Sequence, residues 1–461
     1  MSEIYNCVVF ELATNHAREA LLYLQNIGKI NILKWLGNND DGSGVILAYY
    51  GKILTKDELE KESMICPPEV YNIVYKKLYI FLDMISRVSC LPIYEKVNMF
   101  NLYVNYYYGL FTRKSINLIF FGDVPHFGVD SVAYDVAQAM GIKSVLFLQS
   151  NMSNRFWCTT NINDIGVFNI IKNTEKVEVE VADEYEKNLF YMKDLSVIEP
   201  DNNCNDNGLL KKFENLWYIV KYNKGTLYTK IKEKIMRRQL NYCERSLKRL
   251  EYSIAATKNV QSEVDFSKKY VYFALHLQPE QSTSAMGKEY CDQLLAIERV
   301  AKFIPDDWKI YVKENPKQSY YMRLNYFFMR LALIDKAVYV GREVSTYDLI
   351  AHSQFVATIT GTVGWEAISG GKCALVFGLA WYRKLPGVFE YNSNLQLEDI
   401  LAYKINHKKV EEEYNNLMTK SFEGIIQMGY EEMVPGYSDL KNVEYLKKSL
   451  AKIITIAKAQ E

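Results

Sequence analysis

A glycine-rich segment offers the clearest chemistry in this sequence. Gly361-Thr362-Val363-Gly364 follows an apolar run that predicts a β-strand, and a helix is predicted to begin within the segment. The start of a helix presents free backbone N–H groups and the positive end of its dipole, and glycine lets a phosphate approach the backbone. Thr362 can cap the helix and donate its hydroxyl, and Glu366 can accept hydrogen bonds from a ribose. A capped helix in which Glu366 only complements the dipole explains these residues equally well.

A second polar cluster follows the strand predicted at Tyr270–Leu275. Its members are His276, Gln278, Glu280, Ser282 and Thr283. Such a density of hydrogen-bonding side chains after a buried strand favours a binding site over an ordinary polar loop, because ligands of parallel sheets bind at the carboxyl ends of the strands. We predict that Gln278, Ser282 and Thr283 bind a donor, and that Glu280 either catalyses or holds a sugar.

Two further polar residues follow the strand predicted at Trp308–Val312. Lys313 can neutralise a phosphate or a sugar carboxylate, and Asn315 can contact a base or a phosphate. Lysines in loops are usually only solvated, so this pair is informative only together with the other two loops.

A turn in the first half of the chain carries the candidate catalytic carboxylates. The segment GDVPHFGVD contains Asp123, His126 and Asp130 and follows the strand predicted at Ile116–Phe121. A carboxylate and a histidine at such a turn suit work as general base or nucleophile. Asp123 is the first choice because it lies at the strand end, and Asp130 is second because an acidic residue near a helix start has a structural explanation. Glu280 is the third choice.

The elements around these residues alternate between strand and helix patterns. In the first half, strands are predicted at Val8–Leu12, Ile30–Leu36 and Val45–Tyr50, and a strand–helix–strand unit covers residues 116–148. Between Tyr270 and Phe377, five predicted strands enclose four helices. This alternation indicates α/β structure with parallel, doubly wound sheets.

The chain divides into four predicted parts. Residues 1–200 form a Rossmann-like domain on the acceptor side, and residues 201–266 a basic helical connector. Residues 267–435 form a Rossmann-like domain that binds a nucleotide sugar, and residues 436–461 a closing helix. The basic stretch Tyr222–Glu251 is interpreted mainly as a connector with solvated charges, and contact with anionic lipid is the alternative.

The bulk composition excludes several classes of protein. The 461 residues carry a formal net charge of zero, which argues against nucleic acid as a partner. The eight cysteines are scattered without a Cys-x-x-Cys pair, which predicts free thiols in a reducing compartment. No signal peptide, membrane-spanning run or evident Asp-x-Asp metal motif is found, so we expect a cytoplasmic protein without a metal or other cofactor.

The motifs together resemble a known family. They are Gln278-Pro279-Glu280, Lys313 with Asn315-Pro316, Thr360 to Ala367, Phe377-Gly378 and Trp381-Tyr382. In order and spacing they resemble the bacterial capsular polysaccharide biosynthesis proteins, which include retaining β-Kdo transferases that use CMP-activated Kdo. The resemblance implies a GT-B fold with two Rossmann-like domains facing a cleft, no metal, and a cytoplasmic place on a surface-glycan pathway. The family commonly has histidine where this chain has Asn315.

The resulting hypothesis is a glycosyltransferase that moves Kdo or a related sugar from a CMP-linked donor to a glycan or glycolipid. Peripheral contact with the inner membrane face is an additional expectation. One alternative is a transferase for a UDP- or GDP-hexose or for another nonulosonic acid. Another is a non-catalytic glycan-binding partner of an export complex. Nucleotide binding and turnover distinguish them. Retention and inversion of the anomeric configuration are both left open.

Overall fold

The computed structural model of the protein describes residues 4–12, 14–36, 56–86, 91–150, 154–177, 227–261, 263–278, 280–318, 320, 322–427, 429–431, 434 and 436–459. The strand predicted at Val45–Tyr50 and the polar loop predicted at Asp201–Gly208 lie outside these residues.

The described chain forms two six-stranded sheets. Strands of the first sheet are β1 (Tyr5–Phe10), β2 (Ile30–Leu36), β3 (Leu118–Phe121), β4 (Lys143–Gln149), β5 (Arg155–Thr159) and β12 (Phe422–Glu423). The order is β12-β5-β4-β3-β1-β2. Neighbours from β4 to β2 are parallel, whereas β5 runs antiparallel to both β4 and β12.

The second sheet is parallel throughout. Its strands are β6 (Tyr270–Ala274), β7 (Lys309–Lys313), β8 (Ala337–Val340), β9 (Val356–Thr358), β10 (Ala374–Val376) and β11 (Val388–Glu390). The order β11-β10-β9-β6-β7-β8 is that of a Rossmann fold, with the reversal of strand order between β6 and β9. The predicted α/β class with two Rossmann-like units is therefore confirmed.

Helices cover both faces of the sheets. They are α1 (Asn15–Asn26), α2 (Lys56–Glu62), α3 (Pro68–Tyr75), α4 (Leu78–Ser86), α5 (Ile93–Arg113), α6 (Val129–Ala139), α7 (Leu227–Asn259), α8 (Gln293–Phe303), α9 (Asn325–Ala332), α10 (Thr346–His352), α11 (Thr362–Ser369), α12 (Leu397–Ala402), α13 (His407–Thr419) and α14 (Asp439–Lys458). The first of the four helices predicted between Tyr270 and Phe377 begins only at Gln293, because a π-helical turn at residues 281–285 and a 3₁₀ turn at 288–291 precede it.

Alternate residues of each central strand enter different cores. In β1, Val8 and Phe10 face the core under α5 and α6, while Cys7 and Val9 face the core under α1 and α14. All four side chains are buried. Burial on both faces explains why the strand is a continuous apolar run, since successive strand residues point to opposite sides.

The end of the chain returns to the first sheet. Phe422 of β12 pairs with Phe156 of β5, and Leu446 and Leu450 of α14 pack in the same core as α1. Residues 422–423 thus lie on the first sheet, although the predicted division places them in the nucleotide-binding domain at 267–435. The sequence pattern misses this because a two-residue strand at a sheet edge has no periodicity of its own.

An apolar cluster joins the two halves. The rings of Trp157, from β5, and Trp381 stack with centroids 5.8 Å apart, and the indole N–H of Trp157 donates to the carbonyl of Leu417 over 3.1 Å. Val124 packs in the same cluster, directly after Asp123. The candidate catalytic turn is therefore anchored to the other half of the molecule.

Candidate functional site

The reversal of strand order in each sheet marks where its loops diverge. In the first sheet, β1 and β3 are neighbours on either side of the reversal, so Glu11 and Asp123 follow adjacent strand ends. In the second sheet, β6 and β9 are the corresponding neighbours, and they are followed by His276 and Gly361. Such reversals open a crevice at the carboxyl ends of the strands, which is where ligands bind in open α/β sheets.

Asp123 is held from both halves of the protein. Its Oδ1 accepts a hydrogen bond from the N–H of Val124 over 2.7 Å and another from the side chain of Gln281, which follows β6. Burial raises the pKa of Asp123 to about 7; hydrogen bonds from Val124, Gln281 and Gln427 oppose this rise, and the Asp130 carboxylate adds to it. Near neutral pH the group therefore exists in both protonation states.

Asp130 organises the turn rather than facing a ligand. Its carboxylate accepts the N–H groups of His126 over 2.9 Å, Phe127 over 2.8 Å and Ser131 over 2.8 Å, and its side chain is buried. Burial raises its pKa to about 6 against these hydrogen bonds. Nδ1 of His126 lies 2.8 Å from the carbonyl of Val124. The geometry gives Asp130 the structural role that its place at a helix start suggests.

Glu11 is a third carboxylate in this group, and the sequence motifs do not identify it as a site residue. Burial and the carboxylates of Asp130 and Asp123 raise its pKa well above the usual range. Its backbone is left-handed, with φ of 58°, and its carbonyl accepts the indole N–H of Trp35 over 2.7 Å. Its position directly after an apolar strand is the signal that could have revealed it.

The π-helical turn at 281–285 joins the two strand-end crevices. Gln281 donates to Asp123, and the hydroxyl of Ser284 donates to Asp83 on α4. On the other side, the Thr360 hydroxyl donates to the carbonyl of Ser282 over 2.8 Å. Within this turn, Gln281 thus contacts Asp123 and Ser282 contacts Thr360, which directly precedes Gly361, the N-cap of α11. The turn brings the carboxylates of the first half next to the glycine-rich segment of the second.

Glu280 and Thr283 form hydrogen bonds to each other. The N–H of Glu280 donates to the hydroxyl of Thr283 over 3.3 Å, and the Thr283 N–H donates to the Glu280 carbonyl over 3.1 Å. The negative charges of Asp123 and Glu280 both contribute to the raised pKa of Tyr430, after burial as the first cause. Glu280, Asp123 and Tyr430 therefore face one region of the cleft.

His276 lies at the centre of the second crevice as a neutral imidazole. Burial, with a smaller contribution from Arg323, lowers its pKa to about 3. Nε2 accepts the N–H of Thr360 over 3.2 Å, which places the ring proton on Nδ1, 3.5 Å from the hydroxyl of Ser282. This residue ties the loop after β6 to the loop after β9.

Gln278 belongs to a buried network behind the crevice. Its Oε1 accepts from Gln293 over 2.9 Å and from the Arg323 guanidinium over 3.2 Å, while its Nε2 donates to the carbonyl of Cys291. Arg323 also pairs with Glu314 over 2.9 Å, and both side chains are 1% exposed. The predicted donor contact of Gln278 stays a prediction, since this amide is engaged within the fold.

Lys313 and Asn315 are placed at the end of β7. The ammonium group of Lys313 donates to the carbonyl of Val344 over 2.5 Å and to the hydroxyl of Thr346 over 2.9 Å, and burial lowers its pKa. Oδ1 of Asn315 accepts the N–H of Lys317 over 2.9 Å. Lys313 thereby lies beside the start of α10, on the same edge of the sheet as the loops after β6 and β9.

Residues 361–366 form the first turns of α11. Gly361 is the N-cap, Thr362 is half-buried, and Val363 and Glu366 are buried. The Tyr382 hydroxyl donates to the Gly361 carbonyl, and a Cβ at Gly361 would lie 2.7 Å from the hydroxyl oxygen of Thr358. Close approach of His276 and Thr358 therefore requires glycine at this position.

Gly364 packs closely against Tyr382, and its predicted contact with a phosphate stays a prediction. A Cβ there would lie 2.8 Å from Cζ of Tyr382. We expect Gly364→Ala to lower the free energy of unfolding by about 1–3 kcal/mol, as overpacking does. Urea unfolding followed by tryptophan fluorescence measures this, and nucleotide affinity per folded molecule should stay unchanged. Unaltered stability together with a loss of nucleotide affinity would return Gly364 to the phosphate site.

Metal-binding clusters and membrane-spanning helices are both absent from the part of the chain that the structure describes. Within the described ranges, no group of three or more His, Cys, Asp or Glu side chains has the arrangement needed to hold a metal ion. Among the helices of the same ranges, none combines the length and the apolar character needed to span a bilayer.

The family model for capsule polysaccharide biosynthesis proteins matches residues 198–399. The predicted resemblance is confirmed over this stretch. It contains the crevice between β6 and β9 with His276, Lys313 and residues 361–366. A comparison of the sequence with curated proteins gives no significant match.

Solved structures with a similar fold include two described as KpsC from Thermosulfurimonas dismutans. The beta Kdo 2,7 transferase is 9% identical, with 96% of this chain and 99% of that chain covered and a TM-score of 0.36. The beta Kdo 2,4 transferase is 13% identical, with coverages of 72% and 87% and a TM-score of 0.29. A UDP-GlcNAc 2-epimerase from Methanocaldococcus jannaschii is 12% identical, with coverages of 90% and 99% and a TM-score of 0.26. Sequence identities and TM-scores this low carry no information about what this chain binds.

Proposed function

We propose that this protein is a glycosyltransferase of capsular or surface polysaccharide biosynthesis. It transfers Kdo or a related sugar from a CMP-activated donor to a glycan or glycolipid acceptor in the cytoplasm. The observation that carries the proposal is the contact between Asp123 and Gln281. It joins a carboxylate of raised pKa in the first half to the turn after β6, whose Ser282 carbonyl accepts the hydroxyl of Thr360 just before the glycine-rich helix start.

The second half supplies the donor side. The start of α11 offers Gly361 and the hydroxyl of Thr362, and Lys313 adds a positive charge at the same edge of the sheet. Fixed dipoles and a cation stabilise a leaving phosphate without a divalent ion. Glu366, buried in the same helix, is our candidate for contact with the ribose.

The first half supplies the reacting carboxylate. Retaining transfer requires a nucleophile near the anomeric carbon, and inverting transfer requires a general base near the acceptor hydroxyl. Asp123 suits either role in its ionised form, and its hydrogen bond to Gln281 aims it at the donor side. Burial and the neighbouring carboxylates of Asp130 and Asp123 raise the pKa of Glu11 well above its usual range, and in its protonated form Glu11 can donate a hydrogen bond in the same group.

Nucleotide binding tests the donor assignment directly. We expect CMP to raise the apparent melting temperature more than UDP, GDP or ADP, because a ligand at about 100 times its Kd adds roughly 2.7 kcal/mol of stability. Lys313→Met should reduce the CMP effect, whereas Lys309→Met at the opposite end of β7 should not. A preference for UDP or GDP would favour a hexose transferase, and no response to any nucleotide would favour a non-catalytic glycan-binding protein.

The connecting helix supports a peripheral contact with the inner membrane face. Leu247, Leu250 and Ile254 of α7 are exposed at helical spacing, and Lys248 and Arg249 lie beside them. An exposed apolar stripe with adjacent basic residues suits an anionic lipid surface. We expect flotation with phosphatidylglycerol vesicles that weakens with salt and with Leu250→Glu, but not with Leu440→Glu on α14. If the protein stays with the lipid-free fraction, α7 serves only as a connector.

A further inference from the structure

A cavity of about 500 Å³ opens at the other end of the second sheet from Lys313. Phe377 and Gly378 follow β10 and Tyr391 follows β11, so the cavity lies at the carboxyl ends of these two strands. None of its lining residues belongs to the loops at 276–284, 313–315 or 361–366. Both its volume and its place in the sheet are those of a small-molecule site.

Aromatic rings form the apolar wall. The rings of Phe377 and Tyr391 are stacked with centroids 4.8 Å apart, and Tyr290 meets Phe377 edge-on at 4.9 Å. Because these three rings pack against one another, they present a preformed surface. The C–H groups on one face of a sugar ring match such a surface.

Charged side chains also line the cavity. The lining carries Lys288, Arg299 and Arg383 against the carboxylates of Glu289 and Glu390. Glu390 is already held by Arg383, over 2.7 Å, and by Lys384. Within the described part of the chain, Lys288 and Arg299 form no ion pair, and the side chain of Arg299 hydrogen-bonds to Tyr290. Lys288 and Arg299, together with the carboxylate of Glu289, therefore leave one net positive charge beside the aromatic wall.

The backbone of Lys288 is an outlier at the same place. Its φ is 53°, in the left-handed region that favours glycine. Lysine is strained relative to glycine at such a position, and here it places a charged side chain in the cavity lining.

The cavity also touches the first half of the protein. The Arg383 guanidinium, which forms part of its lining, donates to the carbonyls of Ile165 over 2.7 Å and Asn163 over 2.6 Å. The turn at 281–285, which contacts Asp123, lies three residues before Lys288 in the chain. A glycan seated in the cavity can therefore extend toward the carboxylate.

We propose that this cavity binds an anionic sugar unit, a ring bearing a carboxylate or a phosphate, within the acceptor glycan. The rings of Tyr290, Phe377 and Tyr391 hold the sugar face, and Lys288 and Arg299 hold the anion. The assignment to the acceptor rests on the proposed function, whereas binding of the anionic sugar does not.

Saturation-transfer NMR on the full chain, with CMP present and absent, tests the binding. The probes are methyl glucuronide, glucose 6-phosphate, neutral methyl glucoside and inorganic phosphate. We expect the two anionic sugars to bind about tenfold more tightly than the neutral sugar or phosphate alone, since a charged hydrogen bond contributes about 1.5–3 kcal/mol and 1.4 kcal/mol is tenfold. The stronger of the two anionic probes identifies carboxylate or phosphate as the natural anion.

Two variants connect the binding to the cavity. Lys288→Gly removes the charge and relieves the backbone, so the protein stays folded, and affinity for both anionic sugars should fall about tenfold. Arg299→Gln should do the same. The controls are Ser115→Gly, which changes another exposed left-handed residue, φ 47°, and Lys302→Gln on the same helix as Arg299.

Equal binding of neutral and anionic sugars, equal binding of phosphate alone, or unchanged affinity in both cavity variants would overturn the proposal. These outcomes are independent of the donor assignment. Failure of every nucleotide to bind would refute the transferase while leaving a sugar-binding cavity in place.

Discussion

Asp123→Asn is expected to reduce turnover by about three to four orders of magnitude, as the loss of a nucleophile or an essential base does. The amide keeps the size of the side chain but can neither attack the anomeric carbon nor accept a proton. CMP affinity should stay within about twofold, because the proposed nucleotide contacts lie on the other sheet. Turnover with a confirmed donor and acceptor, together with calorimetric titration of CMP, separates the two effects.

The matched control is Asp135→Asn. Asp135 lies on α6 and burial raises its pKa to about 7, as for Asp123, but its partner charge is Lys77. Loss of a buried charge alone would therefore affect both variants equally. Near-normal turnover of the Asp123 variant, or an equal loss in the two variants, would exclude Asp123 as nucleophile or base.

The pH dependence follows from the pKa of about 7 for Asp123. Because the ionised form is the one that reacts, kcat/KM should rise with pH through about 7. Gln281→Leu should move this rise to higher pH by removing a hydrogen bond that lowers the pKa of Asp123.

The contribution of Asp123 to stability changes with pH in the opposite direction. The folded state binds the Asp123 proton more tightly than the unfolded state, so the contribution of this group to stability falls as pH rises from about 4 through 7. Asp123→Asn should consequently cause no loss of stability at pH 8.

The second large effect concerns stability. Arg323→Leu is expected to lower the free energy of unfolding of the second half by about 3–5 kcal/mol, because it leaves the buried charge of Glu314 without its partner. Arg323 also donates to the carbonyl of His276 over 3.2 Å and to Gln278. Its removal therefore frees the loop after β6. Urea unfolding, compared through the midpoint, measures the loss.

Two further variants identify the cause. Glu314→Leu combined with Arg323→Leu should recover most of the stability, since no isolated charge then remains. Arg330→Leu is the matched control on α9: its pairs with Asp292 over 2.7 Å and Glu298 over 3.2 Å are partly exposed. It should cost less than about 1 kcal/mol. Equal losses for Arg323 and Arg330 would show that burial does not govern this ion pair.

The local patterns of the sequence predict much of the frame. Central strands such as β3 and β6 are apolar runs followed by polar turns. The helix at the glycine-rich segment begins at Thr362, within the segment where it is predicted to begin. Asp123 could be selected because it directly follows such a strand. These features depend on periodicity within a few residues, which a single sequence contains.

The features that escaped prediction depend on pairing between distant segments. Glu11 becomes a neighbour of Asp123 only because β1 pairs with β3, more than 100 residues later in the chain. The ion pair of Glu314 with Arg323 and the contact of Gln281 with Asp123 likewise need tertiary structure. Residue type makes Asp130 a catalytic candidate, and the structure adds that three backbone N–H groups hold its carboxylate; its catalytic role stays a prediction.

The return of β12 and α14 to the first sheet has a consequence for biosynthesis. Ala17, Ala20 and Leu24 of α1 are fully buried in the core that they share with Leu450 and Ile454 of α14. On the ribosome, this face of α1 emerges more than 400 residues before its partner is synthesised. The core of the first sheet therefore cannot be completed before α14 emerges, and until then the nascent chain exposes an apolar surface of the kind that chaperones bind.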